Sequence, residues 1–470
     1  MFESENFSWI TKIYPFEWVM LGIYMLFIIA ISFYVQVSNI KRDRIYRFYS
    51  WAVLAKVFSA VAFCLIYIYY YEGGDTVSYY ETSRALVNLG MKNPGYFARE
   101  IFQAPSVTNL LLFDQQTGYP WGYMYFDSGS WFVAKLLSPF LFIAFKSYLV
   151  STVVLSWFSF IGTWKLFKML VRYYPNLERA MAISILFVPS VLFWGSGISK
   201  DTFTFAAVCW FIVGLDGVFI SKISRLRNIF ILLISAYVLI SIKPYILISL
   251  LPGAFVWILY TRISKMNSRF LKIAAIPLIY IFSFVVGYGL LSLLGNRLGK
   301  FSIEKMLVTA SITQKDLKQD YYHGSSFDIG DFEPTIGGML SKAPAAMTVG
   351  LFRPFVWEAR NPVMLASGLE NFSFLLMALS VGAGMLFDFR KFIRTLMDNS
   401  FLIFLLSYSI LFSLLVGLST SNFGALVRFK IPFLPFFVCA LLLMNYFLWF
   451  KRPEERKASA FNKKSFQGIS

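Results

Sequence analysis

Cys64–Tyr71 reads CLIYIYYY and runs directly into Glu72–Leu86, EGGDTVSYYETSRAL. The first half is an unbroken apolar, tyrosine-rich run, the composition of a helix that leaves a bilayer through its aromatic belt. Gly73 and Gly74 then let the backbone turn sharply, since glycine reaches positive φ without a steric cost. Asp75 follows at once, and a polar helical pattern resumes. The order of events describes a chain that reaches the edge of a membrane and turns outside it.

The rest of the chain repeats the apolar half of that pattern. Of its 470 residues, 58% are hydrophobic and 14% charged, with a mean hydropathy of +0.63; an ordinary globular domain is about 25% charged. Long apolar runs recur from end to end, so the expected fold is all-α, a polytopic helical membrane protein. The first run has no basic stretch before it and no small-residue cleavage site after it, and reads as a retained span. Eleven spans are expected: Trp18–Val37, Ala52–Tyr71, Ser147–Phe167, Ala180–Gly197, Thr202–Ile220, Asn228–Ile242, Tyr245–Thr261, Ile273–Leu294, Phe372–Phe387, Ser400–Leu418 and Ile431–Phe450. The two around Lys243-Pro244 can equally form a broken or shallow hairpin, because proline removes a helix donor and restricts the residue before it.

Charge orients these spans. One set of connections, with Lys56 near a span start and the tail after Lys451, holds 25 of the 43 Lys/Arg and 7 of the 25 Asp/Glu. The other side keeps 18 of each, so the whole excess of +18 lies on one face. By the positive-inside rule that face is cytoplasmic and the N-terminus is outside. The basic charge then reflects topology and anionic membrane lipid rather than nucleic acid. Residues 1–450 read as one polytopic domain and 451–470 as a disordered cytoplasmic tail. Two large outer segments result, Glu72–Lys146 and Gly295–Asn371, with short outer turns around Lys200-Asp201, Lys243-Pro244 and Ser419–Lys430. Within the first, Pro94–Gln103 and Trp131–Phe145 read as interfacial helices. Cys64, Cys209 and Cys439 all sit in apolar runs, which argues against a disulfide framework or a thiolate metal site. His323 is the single histidine and reads as a loop residue.

Several outer charges call for explanation. Asp75, beside apolar surface at the end of a span, has its protonation tuned by partial desolvation and suits a general base; helix capping explains it nearly as well. Glu81 and Asp127 are secondary candidates, for which a solvated loop acid is the simpler account. In WGSGISKDTF, Trp194–Phe203, Lys200 and Asp201 occupy a tight turn between small residues. Asp201 can cap the next span and Lys200 can snorkel, or the two can meet a polar ligand. Lys243 lies between two apolar runs, where a cation needs a partner or a water-filled cavity. Arg353 precedes a proline, with Glu358 close behind it, and Arg428 and Lys430 come directly before the last span. Together Lys200, Lys243, Arg353 and Arg428 make a basic set on the side that should be poor in cations, and a lipid-linked phosphate needs cations at this depth.

At these motifs the chain resembles the GT-C class of integral membrane glycosyltransferases, in a bacterial branch. The likeness is one of layout over nearly the whole chain: the acidic outer loop just after an early span (GGDTVSYY, Gly73–Tyr80), its two interfacial helices, and later outer turns with basic residues before proline. In many members the acidic loop follows the first span, whereas here it follows the second, and the paired Asp-Glu of some branches is absent. The resemblance implies a polyprenyl-phosphate-linked sugar donor, an inverting transfer and Asp75 as the base that deprotonates the acceptor. Lys200, Lys243, Arg353 and Arg428 are phosphate candidates by chemistry alone. Asp201 is a second catalytic candidate that would position the acceptor or a divalent ion, magnesium or manganese, though none is demanded. Two other readings stay open: a polymerase or ligase of the O-antigen type acting on undecaprenyl-pyrophosphate-linked glycans, which would lean on Arg353 and Arg428, and a transporter or flippase, which the Lys243-Pro244 break favours.

Overall fold

The structure, a computed structural model, describes residues 13–263, 274–283 and 335–450, with scattered positions between 285 and 333. His323, the tail 451–470, most of the expected span Ile273–Leu294 after 283 and most of the outer segment from 295 to 334 lie outside the described residues. The protein is an all-helical, polytopic membrane protein. Eight helices are long and apolar enough to cross a bilayer, and a pair bent by 70°, Phe423–Phe429 with Leu434–Phe450, makes a ninth among the described residues. The chain folds as two compact units, Met1–Ile248 and Ser249–Ser470.

The first unit contains α1 (Pro15–Ile40), α2 (Tyr49–Tyr69), α3 (Asp75–Lys92), α4 (Pro94–Phe102), α5 (Ser128–Ile143), α6 (Tyr148–Tyr173), α7 (Glu178–Leu186), α8 (Pro189–Trp194), α9 (Lys200–Leu215) and α10 (Arg225–Ile242), and the start of α11 (Pro244–Ile263). Its centre is α6, which packs against α2 and α9. Small residues make that approach close: a Cβ on Gly162 would stand 2.9 Å from the Trp210 ring and 3.1 Å from the Ala206 carbonyl oxygen of α9. The buried hydroxyls Ser151 and Thr152 satisfy themselves on the carbonyls of Ser147 and Tyr148 in the same helix, so they add no unpaired polar group. By contrast α1 leaves Leu26, Phe27 and Val37 exposed, the apolar surface of a helix suited to face lipid.

One expected span takes a different form. Ala180–Gly197 is not a continuous span. Its helix stops at Leu186, Val188 is extended, and α8 starts at Pro189, because proline has no N–H to give and pushes the preceding residue out of the helical region. Helix α5, of 16 residues, is about 24 Å long at 1.5 Å per residue, shorter than a hydrocarbon core of about 30 Å. Its Trp131 and Ala134 pack with Ala85, Leu86 and Leu89 of α3.

In the second unit, α12 (Ala343–Phe352) lies against α15 (Ser400–Ser419). A Cβ on Gly350 or on Gly417 would strike the backbone of Ser413 or Ala346, so glycine permits backbone-to-backbone contact there. An aromatic ladder of Trp257, Phe401, Phe404, Tyr408 and Phe412 runs along α15. Also in this unit are α13 (Pro362–Phe387), α14 (Phe389–Asp398), α16 (Phe423–Phe429) and α17 (Leu434–Asn445). The expected last span, Ile431–Phe450, therefore begins inside the bend between α16 and α17.

Candidate functional site

The Lys200-Asp201 turn is the best-built charged feature of the first unit. Ser199, not Asp201, caps α9, its Oγ accepting from Thr202 N at 3.3 Å. Lys200 and Asp201 are thereby set in the first turn and reach different partners. Asp201 accepts from Lys243 Nζ at 2.6 Å, and Lys200 donates to Asp127 Oδ2 at 2.9 Å. The break at Lys243 has a local cause: α10 ends at Ile242, and Pro244 cannot continue it, which turns the Lys243 side chain inward. Tyr245, just beyond, stands beside both Lys243 and Asp201. Asp127 also caps α5, accepting from Ser130 N at 2.9 Å and Ser130 Oγ at 2.7 Å. Gly129 lets these pieces close up, since a Cβ there would lie 3.1 Å from the Ile242 carbonyl oxygen and 3.6 Å from Lys200 Nζ.

The two ion pairs differ in depth. The side chains of Lys243 and Asp201 are 10% and 2% exposed, those of Lys200 and Asp127 22% and 25%. The first is a buried pair and the second meets solvent.

Asp75 belongs to a neighbouring shelf. Gly73 and Gly74 have φ of 135° and 109°, the conformation that glycine supplies, and α3 begins at Asp75 itself with Gly74 as its cap. Asp75 is exposed, not partly desolvated as the sequence led one to expect, because it opens the first turn on the solvent side, where a negative charge complements the helix dipole. The Tyr123 hydroxyl bonds with Ser78 and stands close enough to Asp75 and Glu81 to feel both charges. Those four groups therefore form one patch. Glu81 accepts from Trp121 Nε1 at 3.0 Å and lies 3.5 Å from Arg84. Burial pushes its pKa up against the opposing pull of Trp121 and Arg84. One turn on from Asp75, the Tyr79 hydroxyl lies 3.3 Å from Ser130 Oγ, so hydrogen bonds run from α3 through Ser130 and Asp127 to Lys200.

The other two sequence-predicted cations lie in the second unit. Arg353 Nε bonds Glu358 Oε1 at 2.8 Å, with a second bond from Nη2 to the same oxygen. Its guanidinium lies over the rings of Phe327 and Phe423, 5.1 Å and 5.7 Å from their centroids. Lys430 is buried and donates to the Arg353 carbonyl. Arg428 is half-buried in the last turn of α16. Lys200, Lys243 and Arg353 each hold a carboxylate, so a phosphate at any of them competes with an internal anion.

A further cation is buried in the first unit. Lys56, counted among the cytoplasmic charges, stands two turns inside α2, 4% exposed, with its ammonium on the Gly195 carbonyl. The signal was present as a lone lysine within the apolar run VLAKVFSAV. Among the described residues no three His, Cys, Asp or Glu side chains gather as a metal site would require. The chain matches none of the protein-family models, curated proteins or solved structures compared with it.

Proposed function

We propose that this chain is an inverting membrane glycosyltransferase. It moves a sugar from a polyprenyl-phosphate-linked donor to an acceptor on the outer side of a bacterial inner membrane, with the N-terminus outside and the C-terminus cytoplasmic. One observation carries the reading: an exposed carboxylate, Asp75, opens a polar helix directly after an apolar span, with Tyr123, Ser78 and the half-buried Glu81 around it. A lipid-linked donor and a water-borne acceptor meet at such a boundary.

In this scheme Asp75 takes the acceptor hydroxyl proton as the acceptor oxygen attacks the anomeric carbon. The bond from that carbon to the donor phosphate breaks, and the polyprenyl phosphate leaves with the electron pair. Tyr123, 58% exposed, and Trp121 offer ring faces to a sugar. Lys200, whose side chain is 22% exposed, reaches solvent and stabilises the leaving phosphate. Lys243 and Asp201, locked together below the surface, act as positioning residues that fix the start of α9. A magnesium or manganese ion at the donor phosphate is compatible with the scheme and not required by it.

The test is turnover of polyprenyl-phosphate-linked sugars by wild type and Asp75→Asn in proteoliposomes. The variant should lose about a hundredfold or more in rate while still binding donor; undiminished turnover ends the reading. A polymerase or ligase acting on undecaprenyl-pyrophosphate-linked glycans is the second reading. It is favoured by Arg353, whose guanidinium is fixed by Glu358 and two rings; there Arg353→Lys would abolish activity and Asp75→Asn would spare it.

A further inference from the structure

The link from α13 to α15 is one ten-residue helix, α14, of sequence FRKFIRTLMD. At 100° per residue, Phe389, Phe392, Ile393, Leu396 and Met397 fall on one side, and Arg390, Lys391 and Arg394 on the other. This is the pattern of a helix that lies in the plane of an interface. Both helices that it joins are long and apolar enough to span, which puts α14 at the level where acyl chains give way to headgroups.

The two sides are used unequally. Lys391 is committed, its ammonium on the Leu448 carbonyl, and Thr395 is buried. Arg390 and Arg394, one turn apart, are exposed and form no ion pair among the described residues. Beside them Phe389 and Ile393 are 59% and 36% exposed, and the end of α13 leaves Leu386 and Phe387 almost bare. A soluble anion would answer the arginines and leave this apolar strip wet. A lipid answers both.

Behind the helix runs a groove of about 290 Å³ lined by Tyr280, Leu396, Ile403, Leu406, Ser407 and Ile410. Leu396 belongs to α14 itself. The polar atoms of the groove, the Tyr280 and Ser407 hydroxyls, bond to each other, so it holds no open partner for water and suits a hydrocarbon chain.

We propose that α14 and this groove bind an anionic phospholipid, its phosphate on Arg390 and Arg394 and one acyl chain along Leu396, Ile403, Leu406 and Ile410. The inference is independent of glycosyl transfer, since it uses none of the residues in that scheme. Arginine holds a phosphate through paired N–H donors, and each basic residue near a membrane surface strengthens attraction to anionic lipid.

The full chain is purified in mild detergent from bilayers of mixed phosphatidylglycerol and phosphatidylcholine, and the retained lipids are counted by native mass spectrometry. Wild type should keep phosphatidylglycerol in preference. R390Q/R394Q should lower that retention by about tenfold, R390K/R394K should preserve most of it, and Ile410→Trp, which fills the groove, should lower retention of both lipids. A nitroxide on Ile393→Cys reports position directly, and the native Cys64, Cys209 and Cys439 are all buried and spare the labelling. It should collide with oxygen more than with a water-soluble nickel complex. Retention unchanged in R390Q/R394Q or in Ile410→Trp, equal loss in the lysine pair, or a water-exposed nitroxide overturns the proposal.

Discussion

Lys243 Nζ lies 2.6 Å from Asp201 Oδ1, a buried ion pair that ties the break between α10 and α11 to the first turn of α9. Taking both charges out of water is costly, and their attraction repays it only while both are present. Losing either partner strands the other. Asp201→Asn or Lys243→Met should therefore destabilise the protein by about 3–5 kcal/mol, read as a drop in the thermal unfolding midpoint in detergent. The apolar double variant Asp201→Leu/Lys243→Met should recover most of that loss. If the double variant is as unstable as the singles, the pair contributes more than charge compensation.

Lys200 and Asp127 form the contrasting pair, bonded at 2.9 Å but about a quarter exposed. Such pairs contribute only about 0–1 kcal/mol. Lys200→Ala should leave the unfolding midpoint nearly unchanged. In the proposed scheme it should still reduce turnover strongly, because a cation at the leaving phosphate acts in the transition state. A variant with normal stability and normal turnover removes Lys200 from the mechanism. Asp127→Ala should cost more stability than Lys200→Ala, since it also strips the cap from α5.

The contrast between these pairs marks what the sequence could carry. Spans were legible, because an apolar run long enough to cross a bilayer has few other uses. The break at Lys243 was legible from Pro244, and the turn before Asp75 from Gly73-Gly74. The broken stretch at Val188-Pro189 was equally written in the sequence, but mean hydropathy over Ala180–Gly197 averages across a proline. Pairings were not legible. Asp201 and Lys243 stand 42 residues apart and Lys200 and Asp127 73 apart, and nothing local to either residue names its partner. Hence Lys243 read as a phosphate candidate and Asp201 as a cap or a catalytic candidate, with no sign that the two meet; Ser199 holds the cap. Lys56 read only as a charge near a span start for the same reason: its partner is a backbone carbonyl at Gly195, which no side-chain pattern reveals.

Gly197, in the small-residue turn before Lys200, sits against the Phe63 ring, where a Cβ would overlap Cε1 and Cζ. Phe63 is 1% exposed and its ring lies 4.5 Å from that of Tyr67 between centroids, so it has little room to yield. Gly197→Ala should cost about 1–3 kcal/mol by overpacking, and Phe63→Leu in the same chain should relieve part of that cost. Because the turn carries Lys200 and Asp201, the single variant should also lower turnover beyond its stability loss. An alanine tolerated without change in the unfolding midpoint would show that α2 shifts to admit it.

Glu81 supplies a test by pH. Burial raises its carboxyl pKa above the ordinary value of 4.5, and the Trp121 hydrogen bond and Arg84 only partly oppose this. A folded-state pKa above the unfolded one means that folding favours the protonated form. The resulting contribution to stability is complete below the unfolded pKa and is lost as pH rises through the raised one. The window therefore opens near 4.5 and extends upward. Glu81→Gln keeps an acceptor for Trp121 Nε1 but cannot ionise. Across that window the unfolding midpoint of wild type should fall relative to the glutamine variant, so the two curves should diverge towards neutral pH. Curves that stay parallel would mean that Glu81 is as well solvated folded as unfolded, and that the patch around Asp75 is wetter than its burial indicates.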